Sequence, residues 1–192
     1  DADIVVISDE VYEHIIFDGL QHQSALKFDE LFQRTIAVYS FGKTFHATGW
    51  KTGYVIGPES LMTEFRKVHQ FNVFSVNTPM QYALATYLQN PENYLSLPAF
   101  YQQKRDFFVN HIKDSRFKVI PSHGTYFQLL DYSAISDLPE YDFAVWLTKE
   151  KGVAAIPVSS FYHDKKNQQI LRFAFPKQED TLLKAAEILN NI

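Results

Sequence analysis

The sequence predicts an α/β protein that continues into a smaller α+β unit. Over about the first ninety residues, apolar β-branched runs alternate with helical segments, which is typical of strands joined by helices. The last hundred or so residues combine short strand pairs with a few longer helices, as α+β domains do. We therefore predict that residues 1–92 belong to a large, mostly parallel domain and that residues 93–192 form a small one.

Three strands are expected in the first part, each a short run rich in apolar residues. They are Ile4 to Ser8, Thr35 to Tyr39 and Gly53 to Ile56. The first run is continuously apolar rather than alternating, so it suits a central parallel strand that is covered on both faces. Such a strand needs two neighbours, and the chain offers few. We therefore expect the chain to be the C-terminal part of a longer protein; an edge strand at the N-terminus is the alternative.

Helices are expected where apolar residues recur at helical spacing. In the first part they are Ala25 to Gln33, Ser60 to about His69, and Met80 to Leu88, the last with Pro79 in its first turn. A long amphipathic helix from about Tyr94 to Ile112 is expected to bridge the two domains.

The small domain is expected to contain four strands and two further helices. The strands are Phe117 to Ile120, Thr125 to Leu130, Val153 to Ile156 and Ile170 to Phe175. The helices are Tyr141 to Glu150, which Gly152 follows as a terminator, and Glu179 to Leu189.

The composition excludes several classes of function. The 192 residues are 46% hydrophobic, so a sizeable core is possible. The net charge is −4 and charges of both signs are interspersed, whereas a surface that binds nucleic acid is usually basic with clustered positive charge. The absence of cysteine excludes disulfides, thiolate metal sites and a cysteine nucleophile, and it fits a reducing compartment. No apolar run approaches the roughly 18 residues of a membrane span. The seven histidines form no ligand pair such as His-x-x-x-His, so no metal is expected.

Two familiar catalytic motifs are rejected. Gly42-Lys43-Thr44 matches the end of a nucleotide-binding phosphate loop. Such a loop also needs a glycine five residues before the Gly-Lys pair, and that position is occupied by Ala37, inside an apolar run. A serine hydrolase is excluded because Gly-x-Ser-x-Gly is absent.

Chemically useful side chains follow two of the predicted strands. One strand delivers Ser8-Asp9-Glu10-Val11-Tyr12 and the other delivers Ser40-Phe41-Gly42-Lys43. Ligands of open α/β sheets bind beyond the carboxyl ends of the strands. An acid, a phenol, a hydroxyl and an amine at that edge would suit a cofactor that has a phosphate, an aldehyde and a pyridine ring, such as pyridoxal 5′-phosphate.

The segments ISDEVYEH, SFGKTFHATGWKTGY and LRFAF resemble the class I/II pyridoxal-phosphate aminotransferases, and VHQFNVFSVNTPMQYA is similar to their methionine and kynurenine branch. The resemblance covers nearly the whole chain and corresponds to the C-terminal half of such an enzyme, with fold type I. It implies transamination between an amino acid (methionine, aromatic or similar) and a 2-oxo acid, a homodimer at full length, and a cytoplasmic location.

The resemblance also assigns roles at the cofactor ring. Asp9 matches the aspartate that pairs with the pyridine nitrogen, Val11 the side chain that packs on the ring, and Tyr12 the tyrosine that donates to the phenolic oxygen. Lys43 matches the lysine that forms the Schiff base, an amine that can afterwards move a proton at the substrate Cα. The alternative is that Asp9, Val11 and Tyr12 belong to an ordinary surface turn and that Lys43 is a solvated lysine without a role in binding.

Phosphate and carboxylate contacts follow in the same way. Ser40 matches a phosphate-binding hydroxyl, and Lys51 matches a phosphate-binding cation for which most of the family has arginine, so the charge is kept and the bidentate fork is lost. Arg172 matches the arginine that binds the substrate α-carboxylate; a salt bridge to a nearby acid is the alternative. His46 receives no role. The aromatic residues Tyr126, Phe161 and Tyr162 lie near the family's substrate loops, but we expect them to belong to the core more than to the substrate pocket.

Two other functions stay open on the same residues. One is a pyridoxal-phosphate C–S lyase or synthase with the same Lys43, Asp9 and Tyr12. The other is the aminotransferase-like sensing domain of a transcription regulator. The family's glycine-containing phosphate turn, its ring-stacking aromatic and its asparagine at the phenolic oxygen find no match in this chain. We therefore expect the 192-residue polypeptide alone to be inactive.

Overall fold

The computed structural model describes residues 4–192 and separates into two compact units. The first unit ends at Pro98, and the second is Ala99–Ile192. The first combines a sheet with several helices, and the second combines an antiparallel sheet with three longer helices, in keeping with the predicted fold class. This boundary lies close to the one predicted after residue 92. The assignment of the two units to a large and a small domain remains a proposal.

The first unit contains a three-stranded sheet in the order β1 (Val6–Asp9), β2 (Thr35–Ser40) and β3 (Gly53–Ile56). Strands β1 and β2 are parallel, whereas β2 and β3 are antiparallel. The third strand therefore departs from the expected parallel arrangement. The connection from β2 to β3 holds only short helical turns, which reverse the chain but cannot carry it back along the sheet as a parallel crossover requires.

Strand β1 is an edge strand within residues 4–192, because β2 is its only strand neighbour there. Its residues alternate between half-buried and exposed, and Ile7 is 74% exposed. The covered central position expected for this strand is thus not found within this part of the chain.

Five helices belong to the first unit: α1 (Asp29–Phe32), α2 (Phe41–Thr44), α3 (Glu59–Asn72), α4 (Thr78–Tyr87) and α5 (Glu92–Leu95). The helix predicted from Ala25 to Gln33 is instead a 3-10 turn, Ala25–Lys27, followed by α1. Pro79 lies in the first turn of α4 as predicted, and the Asn77 side chain caps this helix by accepting a hydrogen bond from the Met80 N–H at 3.2 Å.

The second unit contains four strands, β4 (Lys118–Ile120), β5 (Phe127–Asp131), β6 (Ile156–Pro157) and β7 (Ile170–Ala174). They form an antiparallel sheet in the order β4-β5-β7-β6. One face of β5 and β7 is buried and carries Gln128, Leu130, Leu171 and Phe173. Arg172 and Phe127 point to the opposite, half-buried face, because successive strand side chains alternate.

Three helices complete the second unit: α6 (Leu97–Ile112), α7 (Glu140–Lys151) and α8 (Glu179–Asn190). The long helix predicted from Tyr94 is divided between α5 and α6, since Pro98 suits a first turn but not a helix interior. Gly152 ends α7 in the left-handed conformation, with φ of 76°, as predicted. The core of the second unit includes the fully buried Tyr132, which stacks on Phe143 at 4.1 Å between ring centroids. None of the helices in the described residues has the length and hydrophobicity that a membrane span requires.

Candidate active site

Asp9 and Ser40 end two neighbouring parallel strands at the same edge of the first sheet. Asp9 is opposite Val38 on β2, and the following N–H, that of Glu10, donates to the Val38 carbonyl at 2.9 Å. Because parallel strands share their carboxyl edge, the segment after Asp9 and the segment after Ser40 both leave the sheet at the edge where open α/β sheets bind ligands. The structure therefore places Asp9, Val11, Tyr12, Ser40 and Lys43 at one edge of the first unit.

The β2–β3 register adds Lys51 to this edge. Ser40 is opposite Gly53, and Lys51 lies two residues before Gly53, just outside the sheet. The close pairing depends on glycine: a Cβ on Gly53 would lie 2.2 Å from the Tyr39 carbonyl oxygen. Gly42 has a similar role, because a Cβ there would lie 3.1 Å from the Thr48 Cα and 3.4 Å from the Ser40 Oγ. The chain therefore folds back tightly onto the start of α2.

Three polar side chains on this turn, those of Ser40, Lys43 and Lys51, have no hydrogen-bond or ion-pair partner among the described residues, whereas its threonine hydroxyls donate to backbone carbonyls. Lys43 is half-buried on α2, Lys51 is exposed in the left-handed conformation with φ of 52°, and neither amine forms an ion pair there. The Ser40 hydroxyl does not cap α2. Two cations and a hydroxyl left unpaired on a tight turn provide donors for an anionic ligand, such as a phosphate.

Glu10 is a buried carboxylate beneath this edge that the sequence analysis did not single out. Its oxygens accept hydrogen bonds from Tyr39 Oη at 2.8 Å, the Ala25 N–H at 3.0 Å and Ser8 Oγ at 3.0 Å, and lie 2.9 Å from His22 Nε2. Burial alone would raise the pKa of Glu10, but the hydrogen bonds to its charged form lower this pKa to about 2.

The tyrosines of β2 and β3 extend this support. Tyr39 and Tyr54 stack at 4.6 Å between ring centroids, and Tyr54 Oη donates to Glu13 Oε1 at 2.6 Å. Burial, with the hydrogen bond to Glu10, raises the pKa of Tyr39 to about 12, and burial with the Glu13 contact raises the pKa of Tyr54 as well. The carboxylates of Glu10 and Glu13 therefore tie the loop after β1 to β2 through Tyr39 and to β3 through Tyr54.

Arg172 lies on β7 in the second unit, between Leu129 of β5 and Ile156 of β6. Its guanidinium carbon is 4.0 Å from the Phe127 ring centroid and 4.6 Å from the Phe161 ring centroid. Its Nε is buried without a hydrogen-bond partner. No ion pair to an acid is found for Arg172 in residues 4–192, which disfavours the salt-bridge alternative and leaves a cation that suits a carboxylate.

None of the three aromatic residues that were expected mainly in the core is buried. Phe161 is 61% exposed, and its ring covers Arg172. Tyr162 is 46% exposed and Tyr126 is half-buried. No sequence signal indicated the Phe161 contact, because it joins residues of two different elements, a 3-10 turn and strand β7, and no periodic pattern links them.

The side chains of the first unit fit pyridoxal 5′-phosphate. The Lys51 amine and the Ser40 hydroxyl are unpaired donors of the kind that a phosphate requires, and Lys43 is an unpaired amine of the kind that an aldehyde requires. Asp9 is an exposed carboxylate whose Oδ1 accepts only the weak 3.3 Å bond from the Val11 N–H among the described contacts. Within residues 4–192, no group of three or more His, Asp or Glu side chains is arranged to hold a metal ion.

Comparison with known proteins gives one family. The family model for aminotransferase class I and II matches residues 1–189. Methionine aminotransferase of Escherichia coli (strain K12) is 53% identical over 191 residues, which are 99% of this chain and 50% of that protein. Human kynurenine–oxoglutarate transaminase 1 is 39% identical over 202 residues, covering 94% of this chain and 48% of that protein.

Solved structures agree with this result. YbdL from Escherichia coli, for which a methionine aminotransferase function is described, superposes with a TM-score of 0.96 at 53% identity over 99% of this chain and 50% of that chain. N-Succinyldiaminopimelate aminotransferase from Mycobacterium tuberculosis gives a TM-score of 0.90 at 34% identity over 98% and 50% of the two chains. The chain spans about half the length of the curated relatives it matches.

Proposed function

The chain belongs to the class I and II aminotransferases, and we propose on this premise that the protein containing it transfers amino groups between an amino acid and a 2-oxo acid. Enzymes of this class use pyridoxal 5′-phosphate. We propose methionine as an amino donor, because the relative with 53% identity is named a methionine aminotransferase. A homodimer and a cytoplasmic location are part of the same proposal.

The observation that carries the proposal is the Ser40–Gly53 register, which gathers Ser40, Lys43 and Lys51 at the edge where Asp9 ends β1. Bound cofactor supplies an aldehyde for the substrate amino group and a pyridine ring that withdraws electrons from the substrate Cα. The charge of Asp9 would hold the proton of the pyridine nitrogen, and Tyr12 Oη would donate to the phenolic oxygen. Val11 would pack on the ring.

The remaining residues bind and move charge. Ser40 Oγ and Lys51 Nζ would bind the phosphate, the latter as a point charge. Lys43 Nζ would hold the aldehyde and, once displaced by substrate, would move the proton between the substrate Cα and the cofactor carbon. Arg172 would bind the substrate carboxylate through charge-assisted hydrogen bonds.

Borohydride reduction of the full-length holoenzyme, followed by peptide mapping, tests the assignment of Lys43. We expect the pyridoxyl label on Lys43, with Lys51, eight positions away on the same turn, as the internal comparison. A label on Lys51 or on another lysine would contradict the assignment. Incubation with methionine and a 2-oxo acid then identifies the reaction: transamination yields a new amino acid, whereas a C–S lyase yields ammonia and a thiol.

A further inference from the structure

Arg172 is held by groups that leave its hydrogen-bond donors available. The rings of Phe127 and Phe161 contact the guanidinium carbon at 4.0 and 4.6 Å, and aromatic rings attract a cation without consuming its N–H groups as a carboxylate would. The buried Nε has no hydrogen-bond partner. The guanidinium group is thus fixed in position and still able to bind an anion.

The two rings differ in how they are supported. Phe127 begins β5, the strand that pairs directly with β7, so its position follows from the sheet itself. Phe161 ends the 3-10 turn Val158–Phe161 and is 61% exposed. Its contact with Arg172 therefore depends on whatever holds that turn against β7.

A buried carboxylate, Glu140 at the start of α7, supplies this support. It is 1% exposed, and its oxygens accept hydrogen bonds from the N–H groups of Ser159, Gln168 at 2.8 Å and Ile170 at 3.1 Å. Ser159 lies two residues before Phe161, and Ile170 lies two residues before Arg172. One carboxylate therefore joins the turn that carries Phe161 to the strand that carries Arg172.

We propose that Phe161 is a positioning residue for recognition of the substrate carboxylate: its ring, on a turn anchored by Glu140, holds Arg172 in the orientation that receives the carboxylate. The proposal rests on the proposed role of Arg172. It goes further by predicting that loss of the Phe161 ring weakens binding of carboxylate groups selectively, rather than binding of the substrate as a whole.

A matched pair of inhibitors isolates the carboxylate. The acid, 4-(methylsulfanyl)butanoate, carries the methionine side chain without the amino group, and 4-(methylsulfanyl)butanamide is its neutral amide. Calorimetric dissociation constants and inhibition constants would be measured with the full-length holoenzyme. We expect Phe161→Ala to weaken binding of the acid by about tenfold, within the range of a partly desolvated cation–π contact, and to leave binding of the amide nearly unchanged.

Steady-state kinetics give a second measurement. Phe161→Ala should raise the KM for methionine more than it lowers kcat, because the contact acts on binding before chemistry. Phe161→Tyr, which keeps the ring face, should restore the wild-type preference for the acid. Phe161→Leu, which keeps apolar bulk without a ring, should lose this preference and serves where the alanine variant folds poorly.

Control variants separate this proposal from the proposed function. Phe100→Ala removes a half-exposed ring of the same unit that lies against Lys104 rather than Arg172, and it should leave both constants unchanged. If Arg172→Ala leaves binding of the acid unchanged, the proposed role of Arg172 fails. If Arg172→Ala weakens the acid but Phe161→Ala does not, or weakens acid and amide equally, the positioning role of Phe161 is overturned and the role of Arg172 stands.

Discussion

Lys43 and Lys51 have different surroundings, and these indicate different chemical roles for the two amines. Both lysines lie on the segment between β2 and β3, yet Lys43 is half-buried on α2 and Lys51 is exposed with a positive φ of 52°. A half-buried amine without a counterion suits reaction with an aldehyde, and an exposed amine at the edge where Ser40 ends β2 suits a phosphate. The two roles proposed above follow this difference.

Removal of the Lys51 amine should weaken cofactor binding without abolishing turnover. For Lys51→Ala we expect the cofactor Kd to rise by about 10- to 150-fold, as loss of a charge-assisted contact worth about 1.5–3 kcal/mol implies, while enzyme saturated with cofactor keeps most of its activity. Spectroscopic titration of the apoenzyme with cofactor would measure the Kd.

Two further variants make the Lys51 experiment decisive. Lys51→Gly also lacks the amine but accepts the positive φ without strain, so an equal rise in Kd would assign the effect to lost charge rather than to backbone strain. Lys67→Ala removes an exposed lysine of α3 that pairs with Glu64, and it should leave the Kd unchanged. An unaltered Kd in both Lys51 variants would show that Lys51 does not bind the phosphate.

Glu10 should contribute to stability in a way that depends on pH. Its folded-state pKa of about 2 lies below the ordinary value of 4.5, so its contribution is fully present above about pH 4.5 and is lost as pH falls toward 2. Glu10→Gln, which keeps the shape but removes the charge, should therefore cost about 1.5–3 kcal/mol at pH 7 and progressively less below pH 4.5.

Denaturant unfolding of Glu10→Gln and wild type at pH values from 7 to 3.5 would measure this dependence. Glu64→Gln is the control, since Glu64 is an exposed partner of Lys67 and such pairs contribute little. A Glu10→Gln penalty that stays constant from pH 7 to 3.5 would contradict the assigned pKa.

At the scale of elements, Gly53 lets β2 and β3 pair closely, which brings the segment that carries Lys51 to the edge where Ser40 ends β2. A Cβ at this position would lie 2.2 Å from the Tyr39 carbonyl oxygen, which is backbone and cannot move aside. We expect Gly53→Ala to lower the free energy of unfolding by at least about 1–3 kcal/mol and to weaken cofactor binding together with stability.

Gly49 offers a matched control for this substitution. It lies in the 3-10 turn Thr48–Trp50 of the same segment, and nothing lies within 4 Å of a Cβ built on it. Gly49→Ala should leave the melting temperature and the cofactor Kd close to wild type. Equal behaviour of the two alanine variants would refute the importance of the close strand pairing.

Element boundaries agree with the sequence pattern where local chemistry decides them. The strand Gly53–Ile56 has its predicted bounds, and Gly152 ends α7 as predicted, because strand-forming runs and helix-terminating glycines act through neighbouring residues. The strand predicted from Val153 to Ile156 is instead Ile156–Pro157. Val153 is buried, so its apolar character reflects packing rather than strand pairing.

At the scale of the whole molecule, the first unit exposes apolar residues in β1 and in the two residues before it. Ile4, Val5 and Ile7 are 58%, 50% and 74% exposed, and one edge of β1 has no strand neighbour in the described residues. We expect the 192-residue polypeptide produced alone to associate through this strand and to be inactive as a transaminase, because unpaired edges with apolar side chains promote aggregation.

Intact mass and light scattering of this polypeptide, with a cofactor titration and a methionine transamination assay, would test the expectation. Ile7→Lys is an informative variant, since a charge on an exposed edge strand should reduce association without touching a proposed cofactor contact. A monomeric polypeptide that takes up one cofactor and turns over methionine would contradict the prediction.

By itself the sequence determined the order and type of most elements, and its motifs singled out Asp9, Tyr12, Ser40, Lys43, Lys51 and Arg172, because strand and helix patterns and short motifs are properties of neighbouring residues. Only the tertiary structure decided the antiparallel pairing of β3, the edge position of β1 and the burial of Glu10 and Glu140. The donors that satisfy Glu10 lie as far away as Tyr39, 29 residues along the chain, and the ring that covers Arg172 comes from a separate turn. Contacts of this kind depend on how distant segments pack, which no local pattern records.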